Sequence, residues 1–228
     1  MKLPHWDYFL TLEDDLLSSS RFVAFEPENF ATFSTEFSRI ILMSASEVDT
    51  VLKILCKEID PTSKPHTIVE YHPIITSKFP NFTNFRTTIR RYDLDFEPWI
   101  DWTSTNGPDW WSKCYNKIKH ERDLYYNKAT LKNAILSCSA LLGVLLYFYE
   151  LKFGGQLTTE SFDAPKFFFL TIILQIVYFL DGIMNCLIRS SILISLQLRL
   201  TAYSQNLGEH ESSNQTSGIR GTLVRQEV

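Results

Sequence analysis

The sequence has few of the residues and spacings from which cofactor chemistry is read. Its four cysteines, Cys56, Cys114, Cys138 and Cys186, stand far apart with no CxxC pair. Neither a zinc ribbon nor a disulfide framework is expected, and a reducing compartment is. His5, His66, His72 and His210 form no HxxxH or HExxH pattern, so no metal site is expected. There is no Walker loop and no GxGxxG, Gly154-Gly155 is too short to cradle a phosphate, and no serine sits in a nucleophile elbow. No cofactor is expected. One-sided charge is missing as well: 22 Lys and Arg against 26 Asp and Glu leave a formal net charge of -4. No global field would hold a polyanion, so any nucleic-acid contact must come from a local patch, and no DNA partner is expected. The polar start Met1-Lys2-Leu3-Pro4-His5 lacks the pattern of a signal peptide.

What is present is a folding chain. Of 228 residues, 45% are hydrophobic and 14% aromatic, enough for a real core in one large domain or one domain with an appendage. Trp6, Phe9, Leu10, Leu12, Leu16 and Leu17 recur at helical spacing, which predicts a first helix over His5 to Leu17. A loop over Ser18 to Glu28 follows, with Asn29 expected to cap a long helix from Phe30 to Ile59. At 1.5 Å per residue that helix would be about 45 Å long, and Pro61 and Pro65 would stop it. A shorter helix is expected over Thr67 to Phe79. The period then changes: Tyr92, Leu94 and Phe96 alternate with Asp93, Asp95 and Glu97, which predicts a small β-hairpin insertion at about 85–97, with Pro98 limiting it to an edge.

Trp99, Trp102, Trp110 and Trp111 read as a packed corner. A base-stacking platform is disfavoured because Arg86, Arg90 and Arg91 are offset by Asp93, Asp95, Glu97, Asp101 and Asp109. The next helix starts near Pro108 and Asp109, and a break with a new cap is expected at Asn127 to Thr130. Leu131 to Leu151 is nearly all apolar, as is Phe167 to Ile188, a run of 22 residues. The organisation read from this is a helical domain over 1–152, an apolar helical appendage, or membrane or dimer-interface segment, over 153–203, and a disordered polar tail over 204–228. The fold class expected is mainly α, an up-and-down bundle with the hairpin inserted.

One stretch reads as a motif. On a helix, Lys113, Asn116, Lys117 and His120 share a face. An imidazole beside two cations and a carboxamide suits holding a phosphate and moving one proton, so His120 and Asn116 are the candidate catalytic residues and Lys113 and Lys117 the candidate phosphate-binding ones. The plainer reading of these residues is a solvated charged face. Trp111, Tyr115, Ile118, Arg122 and Tyr125 form the opposite, buried seam. A buried Arg122 needs a carboxylate, and Glu36 or Glu47, 11 residues apart on one face of the long helix, is expected to supply it.

Trp110-Trp111, Tyr115-Asn116-Lys117 and Lys119-His120-Glu121-Arg122, followed by Ala129-Thr130-Leu131-Lys132-Asn133 and an apolar helix, resemble the helical HEPN-type proteins of bacteria and their mobile elements. Tyr8-Phe9, Arg21-Phe22-Val23, Ser34-Thr35-Glu36 and Ser46-Glu47-Val48-Asp49 fit the same branch, and the resemblance covers residues 5 to 152. It implies an up-and-down helical bundle, often dimeric, whose active members cleave RNA without metal. In those members an Arg-Asn-x-x-x-His pattern holds the scissile phosphate with Arg while His transfers the proton. Asn116 and His120 match; Tyr115 stands where the Arg is expected. Phosphate charge would then fall to Lys113, Lys117 or a cation from a second subunit, and Lys is the poorer bidentate partner. The resemblance thus implies a metal-independent endoribonuclease or a catalytically silent relative in defence or stress response, cytoplasmic, with RNA and a second copy as partners.

The competing reading is a non-enzymatic membrane protein, with 131–151 and 167–188 as a transmembrane hairpin and a cytoplasmic helical domain. Each run approaches the ~20 residues a span needs. Lys128 and Lys132 before the first, and Arg189 and Arg199 after the second, would keep both termini on the cytoplasmic side of an inner membrane. Glu150 and Asp181 oppose insertion, and the soluble bundle is favoured.

Overall fold

A computed structural model describes residues 2–154 and 163–168. Most of the expected appendage over 153–203, including its apolar run beyond Phe168, lies outside the described residues, as does the expected tail over 204–228.

Pro4 opens helix α1 (Pro4–Ser19), where its missing N–H costs no hydrogen bond. Trp6, Phe9, Leu12 and Leu16 form its buried stripe. Helix α2 (Thr35–Ile59) begins later than the period predicts. Its N-cap is Ser34, whose hydroxyl accepts the Phe37 N–H at 3.0 Å, and Asn29 instead bonds the Ala24 carbonyl. The reason is tertiary. Residues 32–34 lie extended against 129–131, with Ser34 N–H donating to Ala129 O at 3.3 Å and Leu131 N–H to Thr32 O at 2.8 Å. That pairing consumes the residues that would otherwise form the first turn of α2.

Helix α3 (Ile68–Lys78) is opened by a Thr67/Glu70 capping box and carries Pro73 on an exposed position. Strands β1 (Thr87–Ile89) and β2 (Leu94–Phe96) then pair antiparallel, Thr87 opposite Phe96 and Ile89 opposite Leu94. Asp93, at φ 52°, closes the turn between them, a left-handed conformation that Asp tolerates. The four tryptophans form the packed corner read from the sequence. Trp99 is in ring contact with Trp102 and Trp110, and Trp110 with Trp111. Trp102 and Trp110 donate their indole N–H groups to the carbonyls of Ile68 and Pro98.

The chain next makes a wide π-helical turn (Trp110–Tyr115), then α4 (Asn116–His120), α5 (Arg122–Tyr125) and a 3-10 turn over Tyr126–Lys128. The break expected near Asn127 is preceded by another at Glu121, whose backbone leaves the helix at φ -139°, ψ 51°. Thr130 caps the last described helix, α6 (Leu131–Lys152), by accepting the Asn133 N–H.

The result is mainly helical with one small hairpin. α2 and α6 start side by side and run in the same direction; Ser44 meets Cys138 inside their contact. α1 runs against both, so that Asp15 near its end reaches Arg39 near the start of α2, and His5 near its start reaches Glu47 and the Phe148 ring. The hairpin lies on the middle of α6, where Thr87 bonds Ser139. Among the described residues α6 is the one helix long and apolar enough to cross a bilayer, and most of its apolar surface is covered by protein.

Candidate functional site

The π-helical turn decides what the motif becomes. Ser112 N–H and Trp111 N–H both bond the Pro108 carbonyl, and the Asp101 carboxylate accepts the Asp109 N–H. Trp110, Trp111, Cys114 and Tyr115, at i, i+1, i+4 and i+5 of this wider turn, all lie in the core. Cys114 donates its thiol to Lys128 O, and burial pushes that thiol up to about 12, so it is inert as a nucleophile near neutrality.

Tyr115 is 5% exposed, its ring 4.6 Å from that of Trp111, with the Lys119 amine 5.4 Å above it. A side chain so placed belongs to the core. Asn116 and His120 lie one turn apart on α4, the first half-buried and the second exposed at the helix end. Among the described residues neither makes a side-chain hydrogen bond or ion pair. The two lysines of the predicted face do not converge on them. Lys113, exposed, pairs with Asp109 at 2.7 Å, while Lys117 reaches Glu121 at 3.8 Å and lies 4.8 Å from the Tyr125 ring centroid.

The polar network expected around Arg122 is not the one formed. Because the helix breaks at Glu121, the buried seam ends at Ile118 and Arg122 starts a new helix on the surface, donating to Ser38 Oγ at 3.3 Å. Glu36 instead takes Arg39, which also bridges to Asp15 on α1, and Glu47 takes His5. The Arg39 contact holds the Glu36 carboxyl below its usual value.

Over 113–132 the chain carries six cations, Lys113, Lys117, Lys119, Arg122, Lys128 and Lys132, against the carboxylates Glu121 and Asp123. In a chain of net charge -4 this is a local basic surface. Apolar and aromatic groups sit within it: Leu124 is 68% exposed and Phe33 48%, the Phe33 ring meets that of Tyr126 edge-on, and Tyr126 bonds Thr35. In the sequence Lys119 stands in the motif and Lys128 beside the apolar run, while no spacing marks Tyr126. Among the described residues no group of His, Cys, Asp and Glu could hold a metal ion.

No family model matches the sequence, and neither a curated protein nor a solved structure is similar to it at a significant level. The function of this corner rests on its own geometry. It can offer amines, a guanidinium and an imidazole to phosphate oxygens; among the described residues Lys113 and Lys117 are paired with Asp109 and Glu121, and the imidazole of His120 has no side-chain hydrogen bond.

Proposed function

We propose that the chain is a catalytically silent, HEPN-like helical module that holds an RNA backbone on the α4–α5 corner. The observation that carries the reading is Tyr115. At the position where the resemblance expects an Arg to grip the scissile phosphate, a ring is buried against Trp111, while Lys119, His120, Arg122 and Lys128 along the same stretch remain exposed. Exposed cations beside aromatic rings suit the sequence-tolerant capture of a single strand. A cytoplasmic location fits a domain whose most apolar helix, α6, is covered by α1 and α2.

The test is fluorescence anisotropy of labelled single-stranded RNA with the full chain across a salt series, run beside a cleavage assay in chelator. Binding should weaken with salt, and Lys119→Glu together with Arg122→Glu should reduce the slope by about 0.7 per lost phosphate contact. RNA should stay intact with both the unaltered chain and His120→Ala. Cleavage that His120→Ala abolishes would overturn the silent reading; no salt-dependent binding would overturn the RNA reading.

A further inference from the structure

Glu13 is the one charged side chain among the described residues that is fully buried. An ionised carboxylate so placed costs several kcal/mol unless its oxygens are satisfied. Its partners lie some 150 residues along the chain: Oε2 accepts the Lys166 N–H at 2.8 Å, and Oε1 accepts those of Phe167 and Phe168 at 2.9 and 3.0 Å. The same six-residue segment is held at two further points on α1. Trp6 donates its indole N–H to Asp163 O at 3.0 Å, and the Lys166 amine pairs with Asp14 at 2.9 Å. The two phenylalanines enter a pocket of rings from three separate elements, Phe167 against Phe25 and Tyr92, and Phe168 against Phe9. Nothing at the α4–α5 corner uses these groups.

We propose that this face is a peptide-docking seat: α1, Phe25 and Tyr92 bind the chain's own Asp163–Phe168 segment as a separable ligand, and Glu13 recognises it by three consecutive backbone N–H groups. The physical logic is a division of labour. Two buried aromatic side chains supply the apolar contact. The carboxylate supplies register against a slip in one direction, because setting 165–167 on Glu13 would bring in Pro165, which has no N–H. The seat is thus selective for a Lys-Phe-Phe sequence behind a proline.

Two experiments on the full chain test this. In the first, a specific protease site is inserted between Gly155 and Phe162, the chain is cut, and the products are passed over a sizing column. The fragments should travel together, and Glu13→Ala should let them part. Fragments that part without that substitution, or stay joined with it, overturn the proposal. In the second, Phe167→Asp with Phe168→Asp vacates the seat, and a labelled, amidated peptide of sequence Asp-Ala-Pro-Lys-Phe-Phe is added. The vacated chain should bind it and the unaltered chain should not. N-methylation of the peptide's first Phe should weaken binding at least tenfold, converting one of the three N–H donors into a clash. Absent binding, equal binding by the unaltered chain, which would mean an open or exchanging seat, or indifference to N-methylation each overturn it.

Discussion

A methyl group on Gly143 would lie 2.7 Å from the Phe85 ring, inside contact distance, so that the ring, itself buried, would have to shift. Two effects compete when that methyl is added. Alanine is the better helix former by about 1 kcal/mol, but overpacking a closed core costs about 1–3 kcal/mol. Overpacking should win, so Gly143→Ala should lower the unfolding free energy by about 1 kcal/mol in urea denaturation. Adding Phe85→Leu, which frees the space, should make the pair less destabilised than the sum of its parts. Such a position is invisible in the sequence, where Gly143 is one more residue in an apolar helix. Arg122 shows the opposite failure. Its spacing from Trp111, Tyr115 and Ile118 is right for a buried seam, yet the backbone of Glu121 turns before the seam reaches it. Tyr115 and its tryptophan neighbours were legible as core, since an aromatic seam keeps its meaning through a π-helical turn even when the phase beyond it is lost.

The elements were legible wherever local chemistry decides them. Pro4, the Thr67/Glu70 box, the prolines after Ile59 and the alternation around Leu94 all act within a few residues of themselves. The start of α2 was not, because it depends on residues 129–132, about a hundred positions away. Ser34 and Thr130 cap the two helices that this extended pairing places side by side. Ser34→Ala and Thr130→Ala should each cost about 1 kcal/mol, within the 0.5–2 kcal/mol typical of a lost cap. Asn29→Ala, whose side chain caps no helix, should cost less than either. Thermal melts followed by circular dichroism would rank the three, and equal losses at Asn29 and Ser34 would restore Asn29 as the effective start of the helix. The two cap variants combined should lose less than the sum, since once one of the paired ends frays the other has less to hold.

At the scale of the molecule, the Glu13 and Glu36 carboxyls are shifted in opposite directions from their ordinary value, which gives a pH dependence with a definite sign. Burial, the largest influence on Glu13, raises its carboxyl above the usual 4.5, although the N–H groups of Phe168, Lys166 and Phe167 pull it back down. A group raised in the folded state binds its proton more tightly there than in the unfolded chain. Its contribution to stability is therefore complete below about 4.5 and declines as pH climbs through the folded-state value. Glu36 is lowered, first by its hydrogen bonds from Arg39, so its contribution is present above the ordinary carboxylate range and is lost as pH falls through the lowered value. Urea denaturation of the full chain between pH 3 and pH 7 separates the two. With Glu13→Gln, stability relative to the unaltered chain should improve as pH rises from about 4.5 toward neutrality, whatever the constant cost of giving three N–H donors an amide in place of a carboxylate. With Glu36→Gln, the deficit should be greatest at neutral pH and shrink toward pH 3. If the Glu13→Gln difference did not move with pH, the buried carboxyl would titrate as it does in the unfolded chain. Its N–H partners would then offset desolvation in full, and the seat on α1 would hold an ionised carboxylate at no electrostatic cost.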